Sequence, residues 1–95
     1  MGIKNFIHKG VEDVFFVGHS KRIGNAYLKR MKTILDAMHA ATCVADLEGA
    51  HSFHDLRGDR AGTYSMSVSG NWRLTFRFEH GDKGDIIGVN FEDYH

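Results

Sequence analysis

The sequence predicts an α+β domain in which N-terminal helices pack on one face of a C-terminal antiparallel β-sheet. Two observations support this class. Apolar residues between positions 9 and 41 recur at the spacing of amphipathic helices, whereas apolar and polar residues alternate after position 62, as they do in half-buried strands. Helices followed by a run of strands are typical of α+β domains. The chain has 95 residues and neither an internal repeat nor a linker-like stretch, so a single domain over residues 1–95 is expected.

The N-terminal half is expected to hold a short strand and two helices. Apolar residues predict the strand over residues 3–7 and a first helix over residues 9–17, which Gly18 can end. A longer amphipathic helix is predicted over residues 22–41, with Ser20 as its N-cap. Its apolar stripe is formed by Ile23, Tyr27, Met31, Ile34, Leu35 and Met38. This stripe is the expected partner of the sheet, and a loop is expected after it.

A β-hairpin is predicted by two segments in which apolar and polar residues alternate strictly. The segments are residues 63–68 and 72–78, joined by residues 69–71. A two-residue loop alone would place Val68 opposite Arg73 and mix apolar with cationic side chains on one face. An odd-length loop, or a bulge with the same effect, would instead pair Val68 with Trp72 and Met66 with Leu74. We therefore predict the odd-length loop or the bulge.

The predicted hairpin has one apolar face and one polar, cationic face. The apolar face is formed by Tyr64, Met66, Val68, Trp72, Leu74, Phe76 and Phe78. It is expected to pack on the long helix. The opposite face is formed by Ser65, Ser67, Arg73, Thr75 and Arg77. It is expected to be open to a ligand, and further strands are predicted over residues 52–57 and 86–91.

Charge is balanced overall but unevenly distributed along the chain. There are 12 basic and 12 acidic residues and seven histidines, and a neutral total is unusual for a protein that binds nucleic acid. Between Val14 and Leu35, however, five residues are basic and none is acidic. This stretch is either a solvated helix face or a surface that contacts phosphates. The five basic residues are Lys21, Arg22, Lys29, Arg30 and Lys32.

The composition favours a reducing, cytoplasmic location. Cys43 is the only cysteine, so a disulfide framework within the chain is excluded. The first ten residues lack the apolar core of a secretory signal. No apolar run approaches the ~20 residues that a membrane-spanning helix needs.

Several residues on or near the polar face have the chemistry for RNA cleavage without a metal. In that reaction the ribose 2′-OH is the nucleophile, a base takes its proton, and an acid protonates the departing 5′-oxygen. Cations stabilise the charge that grows on the phosphate. The candidates are His54, Arg57, Arg73, Arg77, Asp93, Tyr94 and His95. Because these side chains suffice for the reaction, no cofactor is expected.

A metal site is the alternative chemistry at the same place. His51 and His54 are three residues apart, and Asp55, Asp59 and His95 could join them. The single cysteine excludes a structural zinc signature. Metal-independent cleavage is therefore the preferred hypothesis.

These candidates lie in segments that resemble the HigB branch of the RelE/ParE toxin superfamily. The segments are Phe53–Arg60, Val68–Arg73 and Phe91–His95. The hairpin segment Ser-Gly-Asn-Trp-Arg and the final Asp-Tyr-His are together specific to this resemblance. The N-terminal order of a short strand, a helix and a long helix is similar as well, so the resemblance covers nearly the whole chain.

The resemblance implies a type II toxin that inhibits translation as a ribosome-dependent mRNA endoribonuclease. It also implies a HigA-like antitoxin with a helix-turn-helix domain, through which the complex would bind operator DNA. Five residues match positions that the family uses in catalysis or RNA contact: His54, Arg73, Asp93, Tyr94 and His95. Arg57 stands where the family more often has lysine, so it keeps the charge but cannot act as a base. Asp55 replaces the usual proline and adds an acid between His54 and Arg57.

The expected roles divide the candidates into catalytic and substrate-binding residues. The catalytic candidates are His54, Arg73, Asp93 and His95, and the substrate-binding ones are Arg57, Arg77 and Tyr94. The group that takes the 2′-OH proton is left open, although a terminal carboxylate favours a protonated His95. The alternative function is that of a ParE-like or decayed toxin that acts only as a binding module.

Overall fold

The computed structural model describes residues 2–93 and has two helices packed on a four-stranded antiparallel sheet, which confirms the predicted α+β class. The helices are α1, Lys9–Val17, and α2, Asn25–Ala40. The strands are β1, His54–Asp55; β2, Tyr64–Ser69; β3, Trp72–Phe78; and β4, Ile86–Asp93. They follow one another in the sheet in the order β1-β2-β3-β4. Neither helix within residues 2–93 has the length and apolar character needed to cross a membrane.

Helix α1 begins and ends as its sequence predicts. His8 is the N-cap, and its Nδ1 accepts hydrogen bonds from the amides of Gly10 and Val11 at 3.0 and 3.3 Å. A side-chain acceptor at this position satisfies amides that have no partner within the helix. Gly18 ends the helix in the left-handed conformation, with φ of 99°, which glycine adopts at little cost.

Helix α2 begins later than predicted, and the predicted cap at Ser20 is wrong. Ser20 Oγ instead accepts from the amide of Arg22 and donates to Asp13, both at 3.1 Å. These bonds hold a separate turn, and the helix begins at Asn25 after Gly24. The predicted stripe is nevertheless buried, because Met31, Ile34, Leu35 and Met38 are all at most 1% exposed.

The β2–β3 hairpin solves its register problem with a bulge. Met66 lies opposite Leu74, as predicted, but Ser69 rather than Val68 lies opposite Trp72. Val68 is the extra residue of the bulge and remains buried. The loop is therefore the short one, and the bulge keeps the apolar side chains on the face that α2 covers.

The two remaining predicted strands differ in extent from the expectation, and the N-terminal segment is not a strand. Ile3 and Phe6 form isolated parallel bridges with Ile86 and Val89 of β4. Strand β1 covers only two residues of the predicted segment 52–57. Strand β4 continues past the predicted end at residue 91 and bends at a second bulge around Gly88.

The core lies between α1, α2 and the apolar face of the sheet. Leu74, Met66 and Phe76 are at most 1% exposed. At one end, Trp72 stacks on Phe91 with ring centroids 4.8 Å apart. The predicted polar face is on the opposite side of the sheet, but it is not open throughout, since its Ser65 and Thr75 are buried.

Candidate active site

An open groove of about 440 Å³ on the polar face brings together three of the predicted site residues, His54, Arg57 and Arg73. His54 lies opposite Ser65 in the β1–β2 pair, and Arg73 lies opposite Ser67 in the β2–β3 pair. Residues that face each other across antiparallel strands project from the same side of the sheet. The register of three strands therefore places His54 and Arg73 on the same face.

Arg73 is half-buried, and two described neighbours orient it, one of which, Ser65, also lines the groove. Its Nη1 donates to the Ser65 hydroxyl at 3.5 Å and to the Ser52 carbonyl at 3.4 Å. Both bonds are long, so they direct the guanidinium more than they stabilise the fold. The planar fork of an arginine presents several donors that match the oxygens of a phosphate.

His54 and Arg57 are exposed along the groove edge. Arg57 directly precedes a 3₁₀ turn, Gly58–Arg60, which redirects the chain toward β2. Asp55 also lines the groove. The groove lining therefore contains one acid besides the imidazole and the two arginines.

His54 also borders a second cavity, of about 370 Å³, on its other side. Phe53 and Tyr64 stack there with ring centroids 5.4 Å apart. Burial, and secondarily the charges of Asp82 and Asp55, raises the pKa of Tyr64. The carboxylates of Glu48, Asp55 and Asp82 line this cavity, so it disfavours a phosphate and leaves the arginine side of His54 as the anion-binding side.

The structure does not place Asp93 on the face of the groove. Asp93 lies opposite Trp72, whereas its neighbour Glu92 lies opposite Arg73. Because adjacent residues of a strand point to opposite faces, Glu92 shares the face of Arg73 and Asp93 lies on the helix side at the end of β4. Tyr94 and His95, the other predicted residues of this segment, lie outside the described residues.

Arg77 shares the face of Arg73 but lines a different cavity. It is exposed, and it borders a smaller space of about 130 Å³ together with Thr75 and Asn90. The groove with His54 does not include it. The structure thus separates the two arginines that the sequence predicts on one face.

A polar cluster that was not predicted from the sequence lies next to the groove. Arg60 Nη1 and Nη2 donate to the two carboxylate oxygens of Glu92 at 2.9 and 2.8 Å. The hydroxyl of Thr75 also donates to Glu92. Chiefly because Arg60 donates these hydrogen bonds, the pKa of Glu92 is lowered. Strand alternation was the available signal, since one further residue in the last predicted strand would have placed Glu92 beside Asn90 on the polar face.

The alternative metal site is not assembled among the described residues. Within residues 2–93, no three His, Cys, Asp or Glu side chains lie close enough together to hold a metal ion. This covers His51, His54, Asp55 and Asp59; His95, the fifth proposed ligand, lies outside that range.

Comparison with known proteins identifies the family. Residues 4–95 match the family described as the RelE-like toxin of type II toxin-antitoxin system HigB. The chain belongs to this family. A curated relative of this HigB-like toxin, "Endoribonuclease HigB" of Proteus vulgaris, is 37% identical over 94 residues, which are 98% of this chain and 99% of the relative.

The fold of the HigB-like toxin is also found in a solved structure. The YoeB-YefM complex from Staphylococcus aureus contains a chain with a TM-score of 0.58, at 18% identity and with coverage of 100% of this chain and 99% of that chain. At this identity the likeness concerns the fold alone. The resemblance seen in the sequence is thus confirmed at the level of the family, and an antitoxin is the class of partner that this membership implies.

Proposed function

We propose that this HigB-like toxin is an endoribonuclease that cleaves mRNA on the ribosome by acid–base chemistry without a metal. The main support for this function is the groove that holds His54, Arg57 and Arg73 on one face of the sheet. It combines an imidazole, which can exchange protons near neutral pH, with two permanent cations. The relative named an endoribonuclease supports the same reaction.

The proposed reaction is an attack of the ribose 2′-oxygen on the adjacent phosphorus. A base removes the 2′-proton, the bond from phosphorus to the 5′-oxygen breaks, and an acid protonates that oxygen. The products are a 2′,3′-cyclic phosphate and a 5′-hydroxyl. Arg73 and Arg57 stabilise the charge on the phosphate oxygens.

His54 and His95 are the proposed base and acid, with the assignment between them open. Asp93 is exposed at the end of β4, two residues before His95, and is proposed to orient that imidazole. Tyr94 is proposed to stack on a nucleotide. Arg77 lies beyond the groove on the same face and is proposed as an outlying phosphate contact.

Binding to the ribosome is proposed to use the exposed cations of α2. Lys29, Arg30 and Lys32 are all exposed on this helix, and the stretch that contains them has no acidic residue. Contacts between such side chains and phosphates are long-ranged and weaken with salt. The site of action is proposed to be the cytoplasm, where mRNA and ribosomes meet.

The proposed partner is a HigA-like antitoxin with a helix-turn-helix domain. The toxin would contact operator DNA only through this antitoxin. The class of partner follows from the family, which belongs to toxin–antitoxin systems.

The test adds the purified chain to a translating extract and maps the 5′ ends of the mRNA fragments. We expect cuts within translated codons and few cuts in the same mRNA without ribosomes. A variant that lacks Tyr94 and His95 is expected to cut at least about 10²-fold more slowly, the effect of losing an acid–base group, with an unchanged circular dichroism spectrum. Equal cutting of free and translated mRNA would contradict ribosome dependence.

The alternative of a ParE-like or decayed toxin is favoured by the neutral net charge. Expression in a bacterium separates these functions. Growth arrest with loss of mRNA supports the endoribonuclease. A DNA-damage response without mRNA loss supports a ParE-like toxin, and unimpaired growth with a folded product supports a decayed one.

A further inference from the structure

The cluster of Arg60, Glu92 and Thr75 lies beside the groove but contributes none of the side chains proposed for the reaction. Arg60 holds both carboxylate oxygens of Glu92 in a two-pronged contact at 2.9 and 2.8 Å. Thr75, which is only 2% exposed, donates a third hydrogen bond to the same carboxylate. Bidentate pairs of this kind hold the carboxylate in one orientation and keep it ionised.

The position of Glu92 makes this restraint relevant to the site. Glu92 lies opposite Arg73 in the β3–β4 pair. The Cβ atoms of such opposite residues are about 4.5–5.5 Å apart, so their long side chains can reach each other. Arg60 and Arg73 are therefore two guanidinium groups within reach of one carboxylate.

We propose that Arg60 is a positioning residue that holds Glu92 away from Arg73, so that Arg73 directs its charge to the RNA phosphate. The inference rests on the proposed endoribonuclease function. Without Arg60, Arg73 is the cation that lies opposite Glu92 in the sheet, and a pair between them would neutralise the cation that stabilises the transition state. The carboxylate would also repel the incoming phosphate.

The contact also joins two segments that lie next to the groove. Arg60 is the last residue of the turn Gly58–Arg60, which follows Arg57 directly. Glu92 belongs to β4, two positions from Asn90 on the same face. The pair therefore lies between the segment that carries Arg57 and the last strand of the sheet, and Thr75 of β3 donates to Glu92.

The test compares Arg60→Gln with the double variant Arg60→Gln/Glu92→Gln in the mRNA cleavage assay. The single variant leaves a charged Glu92 beside Arg73 and is expected to cut about tenfold more slowly or worse, a part of the ~10²–10³-fold effect of one stabilising donor. The double variant lacks the Glu92 carboxylate that would neutralise Arg73. Its cleavage rate is expected to recover to within about threefold of the wild-type rate, because the uncompensated negative charge of Glu92 has been removed.

A merely structural role of the pair gives the opposite pattern. Both variants would then be impaired, and the double variant would be no better than the single one, which overturns the inference. An unimpaired Arg60→Gln variant overturns it as well. The matched control is Lys4→Gln, which removes another exposed ion pair, with Glu79 at 2.6 Å, away from the groove; it is expected to cut at the wild-type rate.

A second measurement keeps the inference separate from the proposed function. If the wild-type protein does not cut mRNA, the proposed function fails, but the NMR signal of the Arg73 Nε–H group still reports its partner. We expect this signal to move in Arg60→Gln and to return in the double variant; an unmoved signal overturns the inference. If Arg60→Gln does not fold, Arg60→Lys serves instead, because it keeps the charge and loses the two-pronged contact.

Discussion

Replacement of Arg73 by alanine is expected to separate catalysis from stability. To residues within the described range 2–93, Arg73 makes two long hydrogen bonds, at 3.4 and 3.5 Å, to neutral acceptors. A typical hydrogen bond contributes about 0.5–1.5 kcal/mol to the free energy of unfolding, and these are at the weak end. One of the acceptors, Ser65, is 1% exposed and would lose a donor. The loss of these two bonds is therefore expected to lower the free energy of unfolding by about 1–2 kcal/mol.

The expected loss of cleavage by Arg73→Ala is larger than the loss of stability. A preorganised donor at the developing charge contributes roughly 10²–10³-fold to the rate, or about 2.7–4 kcal/mol. Since a domain of this size has about 5–15 kcal/mol of stability, the variant remains folded while its activity falls. Arg73→Lys keeps the positive charge but not the planar fork of donors, so its cleavage rate is expected to lie between those of Arg73→Ala and the wild type.

The assay is single-turnover cleavage of mRNA on stalled ribosomes, with urea unfolding of each variant in parallel. Arg77→Ala is the matched control, because Arg77 lies on the same strand and face but outside the groove. It is expected to cost less than about tenfold. A folded Arg73→Ala that cuts within a few-fold of wild type would contradict the proposed role of Arg73 at the phosphate. So would an equal loss in Arg77→Ala, because the cations would then act diffusely rather than at the reacting phosphate.

Two further predictions concern the scaffold. Burial, and secondarily the charge of Arg22, lowers the pKa of His8, so the unfolded chain takes up this proton more readily than the folded one. The stabilising contribution is therefore complete above the unfolded value of about 6.5 and is lost as pH falls through the folded value. His8→Asn keeps a cap acceptor that does not titrate, so we expect its free energy of unfolding to fall less than that of the wild type between about pH 7.5 and pH 5.5. An equal fall in both proteins, measured by urea unfolding, would contradict this. Met66 is fully buried on β2, so Met66→Ala is expected to lower the free energy of unfolding by ~2–5 kcal/mol and Met66→Leu by less than ~1.5 kcal/mol; equal losses in urea unfolding would show that the site is not tightly packed.

Local periodicity predicted the helices and the central hairpin because the spacing of apolar residues within each segment determines its secondary structure and its buried face. The stripe of α2 and the pair of Met66 with Leu74 follow from helical and strand spacing alone. An odd-length loop or a bulge was predictable, because a two-residue loop alone would have mixed apolar and cationic side chains on one face; the position of the bulge at Val68 was not. The start of α2 was not predictable from local spacing, because Ser20 forms a separate turn with Asp13 instead of capping the helix.

The candidate site was predictable only where side chains share a face within the meander. Arg73 and His54 meet because both lie on the polar side of paired strands. The separation of Arg77 from the groove depends on which loops cover each part of that face, and no local pattern describes that. The positions of Glu92 and Asp93 depend on the length of β4, because each additional residue reverses the face.

The neutral net charge does not oppose an RNA-binding groove once the partners of the acidic residues are considered. Glu92 is held by Arg60, Glu79 by Lys4, and Asp13 lies 3.8 Å from Arg22. The groove itself is lined by two arginines and one aspartate. At physiological salt the screening length is about 8 Å, so a phosphate in the groove responds to these three side chains far more than to the sum over the chain. Of the 12 acidic residues, the one next to Arg73 in the sheet is Glu92, and the two-pronged contact with Arg60 determines whether the groove is cationic at the residue proposed to meet the phosphate.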